Sequence, residues 1–346
     1  MGSLFSRGSV FRVSALKAFI TLDYELFFGS QTGSPSKCLF EPTEALLGVL
    51  DRHEVSATFF VDVAYLDNAA KYDECRDDVY AVVNHLRSLQ SRGHELQLHI
   101  HPHWYYSVYE SGQWRIDTSK YKLADLSPEK AVDVVNACCK NFTEIAGINP
   151  LAYRAGGWCI DGFSAFSEAL YQSGVRVDST IYAGGRSSSN VQGYDFRGAP
   201  DATAWRFGED PLIIDSAGRF TELAISSVKL SQMFYWKMLV RKLIGGTHHK
   251  SFGDGRPTSM SSRQLAEYLL KGSYSVGSID GAKAALLDAV FLTHTKKFGC
   301  GSEFVLLGHP KALTRSSLQS LDDFLMRKSG ALNFSTVRSW YESWSV

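Results

Sequence analysis

Strand-like and helix-like segments alternate along most of the 346-residue chain, and this alternation limits the fold more than any other feature of the sequence. Short apolar runs typical of buried strands are separated by stretches in which apolar residues recur at the spacing of an amphipathic helix. Such an order predicts parallel strands with helices packed outside them, as a barrel or a doubly wound sheet. The predicted strands cover residues 18–23, 56–61, 94–99, 151–155, 175–179, 304–307 and 332–337. The predicted helices cover residues 42–53, 79–91, 127–145 with Ser127 as N-cap, 163–173, 313–328 and a short segment at the end of the chain.

The alternation is interrupted at about residues 205–290. Within this stretch, residues 245–255 are rich in glycine and histidine, which predicts an exposed loop. Nothing at either edge of the stretch resembles a linker. We therefore predict one domain, residues 14–346, with an elaboration at about residues 205–290.

The charge balance excludes some classes of partner. The chain has 36 lysines and arginines and 36 aspartates and glutamates, so its formal net charge is zero. Nucleic-acid binders carry a basic excess, and a polybasic membrane anchor needs one too, so neither is expected. No apolar run approaches the roughly 18 residues that a membrane-spanning helix needs.

The start of the chain and the cysteines predict a cytoplasmic protein. Residues 1–19 lack the apolar block of about 7 residues that a secretory signal requires. The six cysteines show no C-x-x-C spacing, and the adjacent Cys138 and Cys139 would point about 100° apart on a helix. We expect six reduced thiols.

Polar residues gather at the carboxyl ends of the predicted strands, which is where α/β barrels and open sheets build their sites. Asp23 and Glu25 follow the first strand at i, i+2, so both carboxylates would point to one face. On this motif alone, solvated residues at a strand end are the commoner explanation.

Four of the ten histidines lie between His94 and His103. His99 and His103 could face one ion if the chain turns helically after the strand, whereas His99, His101 and His103 would share a face if the strand continued. Pro102 favours the turn, because proline suits sheet interiors poorly. Histidines clustered at ligand spacing predict a metal site.

Three further strands end in polar groups. These are Arg154-Ala155-Gly156-Gly157-Trp158, Asp178-Ser179 and Gly308-His309-Pro310. Each group would mean little alone.

Together, and in this order, the groups resemble the motifs of NodB-like polysaccharide deacetylases, the carbohydrate esterase family 4 superfamily. The most specific parts are the Ala-Thr-Phe-Phe strand at residues 57–60 and the Gly-His-Glu of residues 93–95 followed by His-x-x-x-His. The resemblance runs from about Phe19 to the C-terminus and implies a distorted (β/α) barrel with an insertion. The opening Asp-Tyr-Glu-Leu-Phe-Phe-Gly is similar to a branch found in O-antigen and surface-polysaccharide biosynthesis.

The resemblance also implies a role for each position. It makes Asp23 the general base and His309 the general acid. The implied ligands of Zn²⁺, or of another divalent metal, are Glu25, His99 and His103. Arg154 would orient the base, and Asp178 would hold that arginine.

The chain departs from the commoner family pattern in two places. It has Asp23-Tyr24-Glu25 where that pattern has adjacent aspartates, and Arg154-Ala155-Gly156-Gly157 where it has Arg-x-Pro-Tyr. The second change alters the acyl pocket. We expect substrate contacts from Trp158, Gly156, Gly157, Trp104, Tyr105 and His101, and a structural role for His94.

The resemblance implies a metal-dependent hydrolase that removes an acetyl group from a sugar, with N-acetyl favoured over O-acetyl, during surface-polysaccharide synthesis. Without a secretory signal, its carbohydrate partner would be an activated sugar, a lipid-linked precursor or a glycan terminus. One alternative is hydrolysis of a non-sugar amide or formyl C–N bond. A second is an inactive sugar-binding module on the same fold, which the retained Asp23 and His309 oppose.

Overall fold

The computed structural model describes residues 15–189, 191–244, 246–257 and 262–344. Residues 14, 190, 245, 258–261, 345 and 346 of the predicted domain lie outside these ranges. The strands are β1 (Leu16–Tyr24), β2 (Thr58–Asp62), β3 (Glu95–Ile100), β4 (Val108–Glu110), β5 (Gln113–Arg115), β6 (Ala152–Ala155), β7 (Val177–Asp178), β8 (Arg186–Ser188), β9 (Gly193–Asp195), β10 (Ala204–Phe207), β11 (Phe220–Leu223), β12 (Ser227–Leu230), β13 (Ser273–Val276), β14 (Glu303–Gly308) and β15 (Leu332–Phe334). The α-helices are α1 (Glu41–Arg52), α2 (Val63–Ala69), α3 (Arg76–Ser91), α4 (Pro128–Ala146), α5 (Ser167–Gln172), α6 (Gln232–Ile244), α7 (Ser262–Lys271), α8 (Leu287–Phe298), α9 (Arg315–Lys328) and α10 (Val337–Trp344).

One curled sheet carries the core, in the order β10-β11-β7-β6-β3-β2-β1-β14, with β15 also paired to β1. Its pairs are parallel except for β10 with β11. Strands β2, β3, β6 and β14 are buried along their whole length, as expected for parallel strands covered on both faces. The prediction of a distorted α/β barrel is confirmed.

The two ends of the curled sheet are bridged by the chain that follows β11. The amide of Ile225 donates to the carbonyl of Ile181, 2.8 Å away, next to β7, while the amide of Ser226 donates to Val305 of β14, 3.0 Å away. This segment therefore joins the β7 side of the sheet to β14. It brings the carboxyl ends of distant strands around one central space.

The predicted helices agree with the structure to within a few residues where local signals mark their ends. The Ser127 hydroxyl accepts from the amide of Lys130, and α4 ends at Gly147 in the left-handed conformation with φ 72°. The predicted helix at 163–173 is instead a short 3₁₀ turn followed by α5. The predicted strand at 332–337 ends at Phe334, because the amides of Val337 and Arg338 donate to Glu95 and begin α10.

Two strands of the predicted elaboration, β10 and β11, belong to the main sheet, and the rest of it packs against the barrel. β12 and β13 form an antiparallel pair, and α6 packs on α7. Beyond β13, the amide of Ile279 donates to Leu307 of β14, 2.9 Å away. The predicted loop at 245–255 is exposed at residues 247–250. Its later part is attached to the barrel, because the amide of Phe252 donates to the carbonyl of Leu313.

No helix in the described ranges is both long enough and apolar enough to cross a membrane.

Candidate active site

The parallel strands deliver their polar ends to the same rim of the barrel. In the register, Asp23 of β1 pairs with Phe60 of β2, and His99 of β3 pairs with both Asp62 and Arg154. Since parallel neighbours end at one edge, the carboxylate, the imidazole and the guanidinium are brought together from distant parts of the sequence.

Arg154 is fully buried and holds one side of Asp23. Its Nη1 donates to Asp23 Oδ1 at 2.7 Å and its Nη2 donates to Thr21 Oγ1 at 3.1 Å. The Nε donates to the carbonyl of Ser179 at 2.6 Å, and the guanidinium lies 4.0 Å from the centre of the Phe60 ring. The second oxygen of Asp23 is left directed at the central space, where it lies 3.6 Å from His309 Nε2.

Asp178 lies beneath this arginine but does not bond it. Its carboxylate accepts from the amide and the hydroxyl of Thr180, at 2.9 and 3.0 Å. Burial and the charge of Asp178 raise the pKa of Glu222 well above its usual range, which favours a protonated Glu222 beside Asp178. The hydrogen bonds to Arg154 that were expected from Asp178 are therefore made by the carbonyl and the hydroxyl of Ser179. Asp178 interacts with the arginine through its charge.

His309 follows β14 and is oriented by Asp280 from the elaboration. Asp280 Oδ2 accepts from both the backbone amide and the Nδ1 of His309, at 2.8 and 2.9 Å. Burial lowers the pKa of His309, but the bond to Asp280 and the charges of Asp280, Asp23 and Glu25 outweigh it, so this pKa is raised. The raised pKa favours the protonated form of His309, whose Nε2 faces the central space.

Glu25, His99 and His101 form a buried group in which the ligand atoms lie within 4.8 Å of one another. Glu25 Oε2 lies 3.1 Å from His99 Nε2 and 2.7 Å from His101 Nε2. His99 Nδ1 must carry a proton because it donates to the carbonyl of Arg154 at 2.8 Å, and this fixes its Nε2 as the coordinating nitrogen. Both ring nitrogens of His101 are buried and lack an aligned hydrogen bond.

The electrostatics of this group favour a cation. Burial opposes protonation of His99, yet the charges of Asp23 and Glu25 raise the pKa of His99 to about 9. Two imidazoles and a carboxylate are also the donor types that zinc prefers. The residues present therefore fit a divalent metal.

Lys311 secures the other oxygen of Glu25. Its Nζ donates to Glu25 Oε1 at 2.9 Å and to the carbonyl of Leu26, and it lies 4.5 Å from the centre of the Phe28 ring. Burial opposes ionisation of Glu25, but Lys311 and the two imidazoles hold its pKa well below the usual range. Lys311 thus fixes Glu25 as a carboxylate with Oε2 directed at the imidazoles.

The structure places His103 apart from the other two predicted ligands, Glu25 and His99. Its ring is stacked between Trp104 and Tyr121, with centroid distances of 5.4 and 5.3 Å, and both its nitrogens are buried without a hydrogen-bond partner. The cause is local. β3 ends at Ile100 and a 3₁₀ turn begins at Pro102, so His101 rather than His103 reaches Glu25. The ligand role of His103 stays a prediction, and the geometry favours His101.

Gly156, Gly157 and Trp158 form a tight turn at the site, as predicted. Gly157 and Trp158 both have left-handed backbone, with φ of 60° and 61°, which is a strained conformation for a tryptophan. A Cβ on Gly156 would lie 2.6 Å from His101 Nδ1, and one on Gly157 would lie 2.6 Å from the Tyr121 hydroxyl. The turn lets the backbone pass close to the histidines, with the Trp158 ring 6.4 Å from that of His309.

Trp104 and Tyr105 do not face the central space. Trp104 is fully buried, donates from Nε1 to Asp62 at 2.6 Å and packs on Tyr65 and Trp114. The half-buried Tyr105 contacts Cys138. Both belong to the packing behind the site, which corrects the expectation that they touch substrate.

A cavity of about 400 Å³ adjoins the site, and we call it the aromatic cleft. Residues of the barrel and of the elaboration both line this cleft, so the elaboration forms part of its wall. Its aromatic lining comprises Tyr121, Trp158, Tyr182, Tyr194, Tyr235, Tyr268 and Tyr274.

Sequence reasoning missed Asp280, Lys311 and Tyr121. Asp280 follows Ser-Val-Gly-Ser-Ile, where serine and glycine interrupt the apolar residues, and it lies inside the elaboration. Lys311 lies two residues after His309. Tyr121 lies in a loop and carries no motif that marks it.

A comparison with protein-family models matches residues 37–161 to the family described as Polysaccharide deacetylase. The match spans the histidine segment and Arg154, and Asp23, Glu25 and His309 lie outside it. It confirms the resemblance to NodB-like polysaccharide deacetylases and the prediction of a hydrolase of that type. No curated protein sequence matches the chain.

Solved structures share the fold. A Mycobacterium smegmatis protein assigned as a polysaccharide deacetylase has a TM-score of 0.53 at 15% identity, over 99% of this chain and 94% of that one. A PuuE allantoinase has a TM-score of 0.51 at 10% identity, over 96% and 90%. At such identities the likeness shows the fold alone.

Proposed function

We propose that this protein is a metal-dependent deacetylase that removes an acetyl group from a sugar, N-acetyl in preference to O-acetyl, during the synthesis of a surface polysaccharide such as an O-antigen. The observation that carries the proposal is the pairing of Asp23, held by Arg154, with His309, held by Asp280, beside Glu25, His99 and His101. A sugar-binding module would need neither a base nor an acid oriented in this way.

Glu25, His99 and His101 would hold the metal, which we propose is zinc or another divalent ion. When bound, such an ion polarises the acetyl carbonyl and lowers the pKa of a bound water. The Lys311 bond leaves Glu25 Oε2 for this purpose, and the Arg154 carbonyl keeps His99 in the required tautomer.

Asp23 and His309 would divide the proton transfers between them. Asp23 Oδ2, which is free of Arg154, takes a proton from the water whose oxygen attacks the acetyl carbon. The protonated Nε2 of His309 then gives its proton to the sugar nitrogen as the C–N bond breaks. Acetic acid and the free amine are the products, and the acid passes its remaining proton to the amine or to solvent as acetate leaves. Transfer of the proton held by Asp23 to His309 restores the pair to its starting state.

The aromatic cleft is suited to a sugar. Tyrosine and tryptophan rings pack on the apolar faces of sugars and offer hydroxyl or N–H groups at their edges. The ring of Trp158 lines the cleft, while its Nε1 is buried without a hydrogen-bond partner. A cytoplasmic activated sugar, lipid-linked precursor or glycan terminus would be the substrate.

Release of acetate tests the proposal directly. We expect the metal-loaded protein to release acetate from at least one of a set of N-acetylated sugars, nucleotide-linked sugars and lipid-linked glycans. Asp23→Asn should keep its metal and lose turnover by about 10²-fold or more, since it removes the base without removing a ligand.

Asp133→Asn, an exposed position on α4, is the matched control and should behave as the wild type. If Asp23→Asn turns over within tenfold of the wild type, Asp23 is not the base. If no acetylated sugar releases acetate while metal is bound, hydrolysis of a non-sugar amide or a binding role replaces the proposal.

A further inference from the structure

The outer side of α6 exposes large apolar side chains. Met233, Trp236 and Val240 are 61%, 52% and 49% exposed, and they occur at i, i+3 and i+7. At about 100° per residue these positions fall within roughly 60° of one another, so they form one stripe, which we call the α6 face. Tyr235, on the opposite side of the helix, is buried and stacks on Tyr268.

Leu270 extends this apolar surface from α7. It is 72% exposed, and its carbonyl accepts from the Gln232 side chain at the start of α6, at 2.9 Å. A surface helix normally turns its apolar residues inward. A contiguous exposed apolar group of this kind marks an interaction surface.

The segment of the chain that carries α6 is basic, although the neighbouring α7 also exposes Glu267. Residues 223–253 contain Lys229, Lys237, Arg241, Lys242 and Lys250 and no aspartate or glutamate. The whole chain has no net charge, so this basic segment is a local concentration. Lys237 is exposed and lies about 40° from Met233 around the helix.

We propose that the α6 face docks on an anionic lipid surface. Apolar side chains including a tryptophan, flanked by lysines and arginines, are the pattern of helices that lie in the membrane interface. The apolar side chains would enter the headgroup region while the basic ones meet the lipid phosphates. Two copies meeting through this face would instead bring like charges together, which disfavours a self-association interface.

Docking would also orient the substrate cleft. Tyr235 and Met238 of α6 line the aromatic cleft, so one helix would contact both the lipid surface and the cleft. The cleft would then lie behind α6, about the 10–12 Å diameter of one helix from the membrane. This second step rests on the proposed function, and within that function it favours a lipid-linked saccharide as the substrate.

Vesicle binding of the full chain tests the proposal without measuring activity. We expect binding to phosphatidylcholine vesicles that contain phosphatidylglycerol, weaker binding to phosphatidylcholine alone, and a loss of binding as salt is raised. Trp236→Glu and Lys237→Glu should each weaken binding about tenfold, through lost apolar insertion and a reversed charge.

Leu292→Ser is the matched control, because Leu292 on α8 is also 62% exposed but lies outside the basic segment. Melting curves of all variants confirm that they fold. Absence of binding to the anionic vesicles would overturn the proposal, as would equal losses in Leu292→Ser and Trp236→Glu. A dimer in light scattering that Trp236→Glu dissociates would assign the face to a second copy instead. None of these readouts depends on acetate release, so the proposed function can fail independently.

Discussion

At the scale of single residues, the three histidines at the end of β3 and just beyond it differ in what surrounds their ring nitrogens. His99 is held by the Arg154 carbonyl, His101 lies against Glu25, and His103 is stacked between two aromatic rings. Burial, followed by the charge of His101, holds the pKa of His103 well below its usual range, so His103 is neutral. Only His99 and His101 have a nitrogen directed at the carboxylate.

Alanine substitutions at the three positions test this ligand set. We expect the wild type to bind about one equivalent of zinc or a similar divalent ion, as one three-ligand site implies. His99→Ala and His101→Ala should weaken zinc binding by about 10²-fold or more, whereas His103→Ala should weaken it by about tenfold at most, the lower end of outer-shell effects. Calorimetric titration of each apoprotein measures this. Loss of zinc in His103→Ala but not in His101→Ala would restore the ligand pair expected from the i, i+4 spacing.

The sequence predicted the position of reactive residues better than their contacts. Asp23, Arg154 and His309 could be located because each ends an apolar strand, and parallel strands bring their ends together. That the geometry favours His101 over His103 could not be predicted, since this depends on where β3 stops and the 3₁₀ turn begins. Asp280 bonds His309 only because the chain beyond β13 pairs with β14.

At the scale of elements, strands that are buried on both faces could be predicted, whereas elements that begin through long-range contacts could not. The predicted strand at 332–337 is cut short because the Glu95 carboxylate accepts from two amides at the start of α10, 2.8 and 3.0 Å away. Glu95 follows His94, whose Nδ1 accepts from the amide of Ala57. The histidine and the glutamate of the Gly-His-Glu motif thus both have structural roles.

A chain of hydrogen bonds through His294 joins α8 to β14. The amide of Val305 donates to the Ser226 hydroxyl, and when the imidazole is neutral with its proton on Nε2 this hydroxyl donates to His294 Nδ1. His294 Nε2 then donates to Ser302, whose own hydroxyl proton goes to the carbonyl of Gly299. This order requires a neutral imidazole, since a proton on Nδ1 would face the proton of Ser226.

This arrangement makes the stability of the fold depend on pH. Burial lowers the pKa of His294 to about 4 from an unfolded value near 6.5, so its contribution is fully present above about pH 6.5 and is lost as the pH falls toward 4. Between about pH 7 and pH 5, the free energy of unfolding should fall by about 2 kcal/mol more in the wild type than in His294→Gln. Urea unfolding at both pH values measures the difference. His249→Gln removes an exposed histidine and should follow the wild type, and parallel pH curves for all three proteins would contradict the assignment.

At the scale of the whole molecule, the elaboration completes the site rather than standing apart from it. It supplies Asp280 to His309 and several walls of the aromatic cleft. Lys283 also lines this cleft, and burial lowers its pKa against the pull of Asp280. Charge is distributed unevenly along the chain, with a basic segment at residues 223–253. The zero net charge gave no indication of this, because acidic residues elsewhere balance that segment.

If the cleft binds the part of the substrate beyond the acetylated sugar, its outer wall should affect binding more than chemistry. Tyr274 on β13 is 46% exposed and lines the cleft. It packs on Gly184, where an added Cβ would lie 2.6 Å from the Tyr274 ring. Tyr274→Ala should raise KM for an acetylated oligosaccharide about fivefold, the equivalent of roughly 1 kcal/mol of lost ring contact, and leave kcat unchanged.

The same variant should leave the KM of an acetylated monosaccharide unchanged, because that substrate reaches only Asp23, His309 and their partners. Tyr80→Ala, which removes a 71% exposed tyrosine from α3, is the matched control and should alter neither substrate. Steady-state kinetics with both substrates separate the outcomes. A fall in kcat for both would show that the elaboration acts on the reacting groups through Asp280. An unchanged KM for the oligosaccharide would show that this part of the cleft does not contact the substrate.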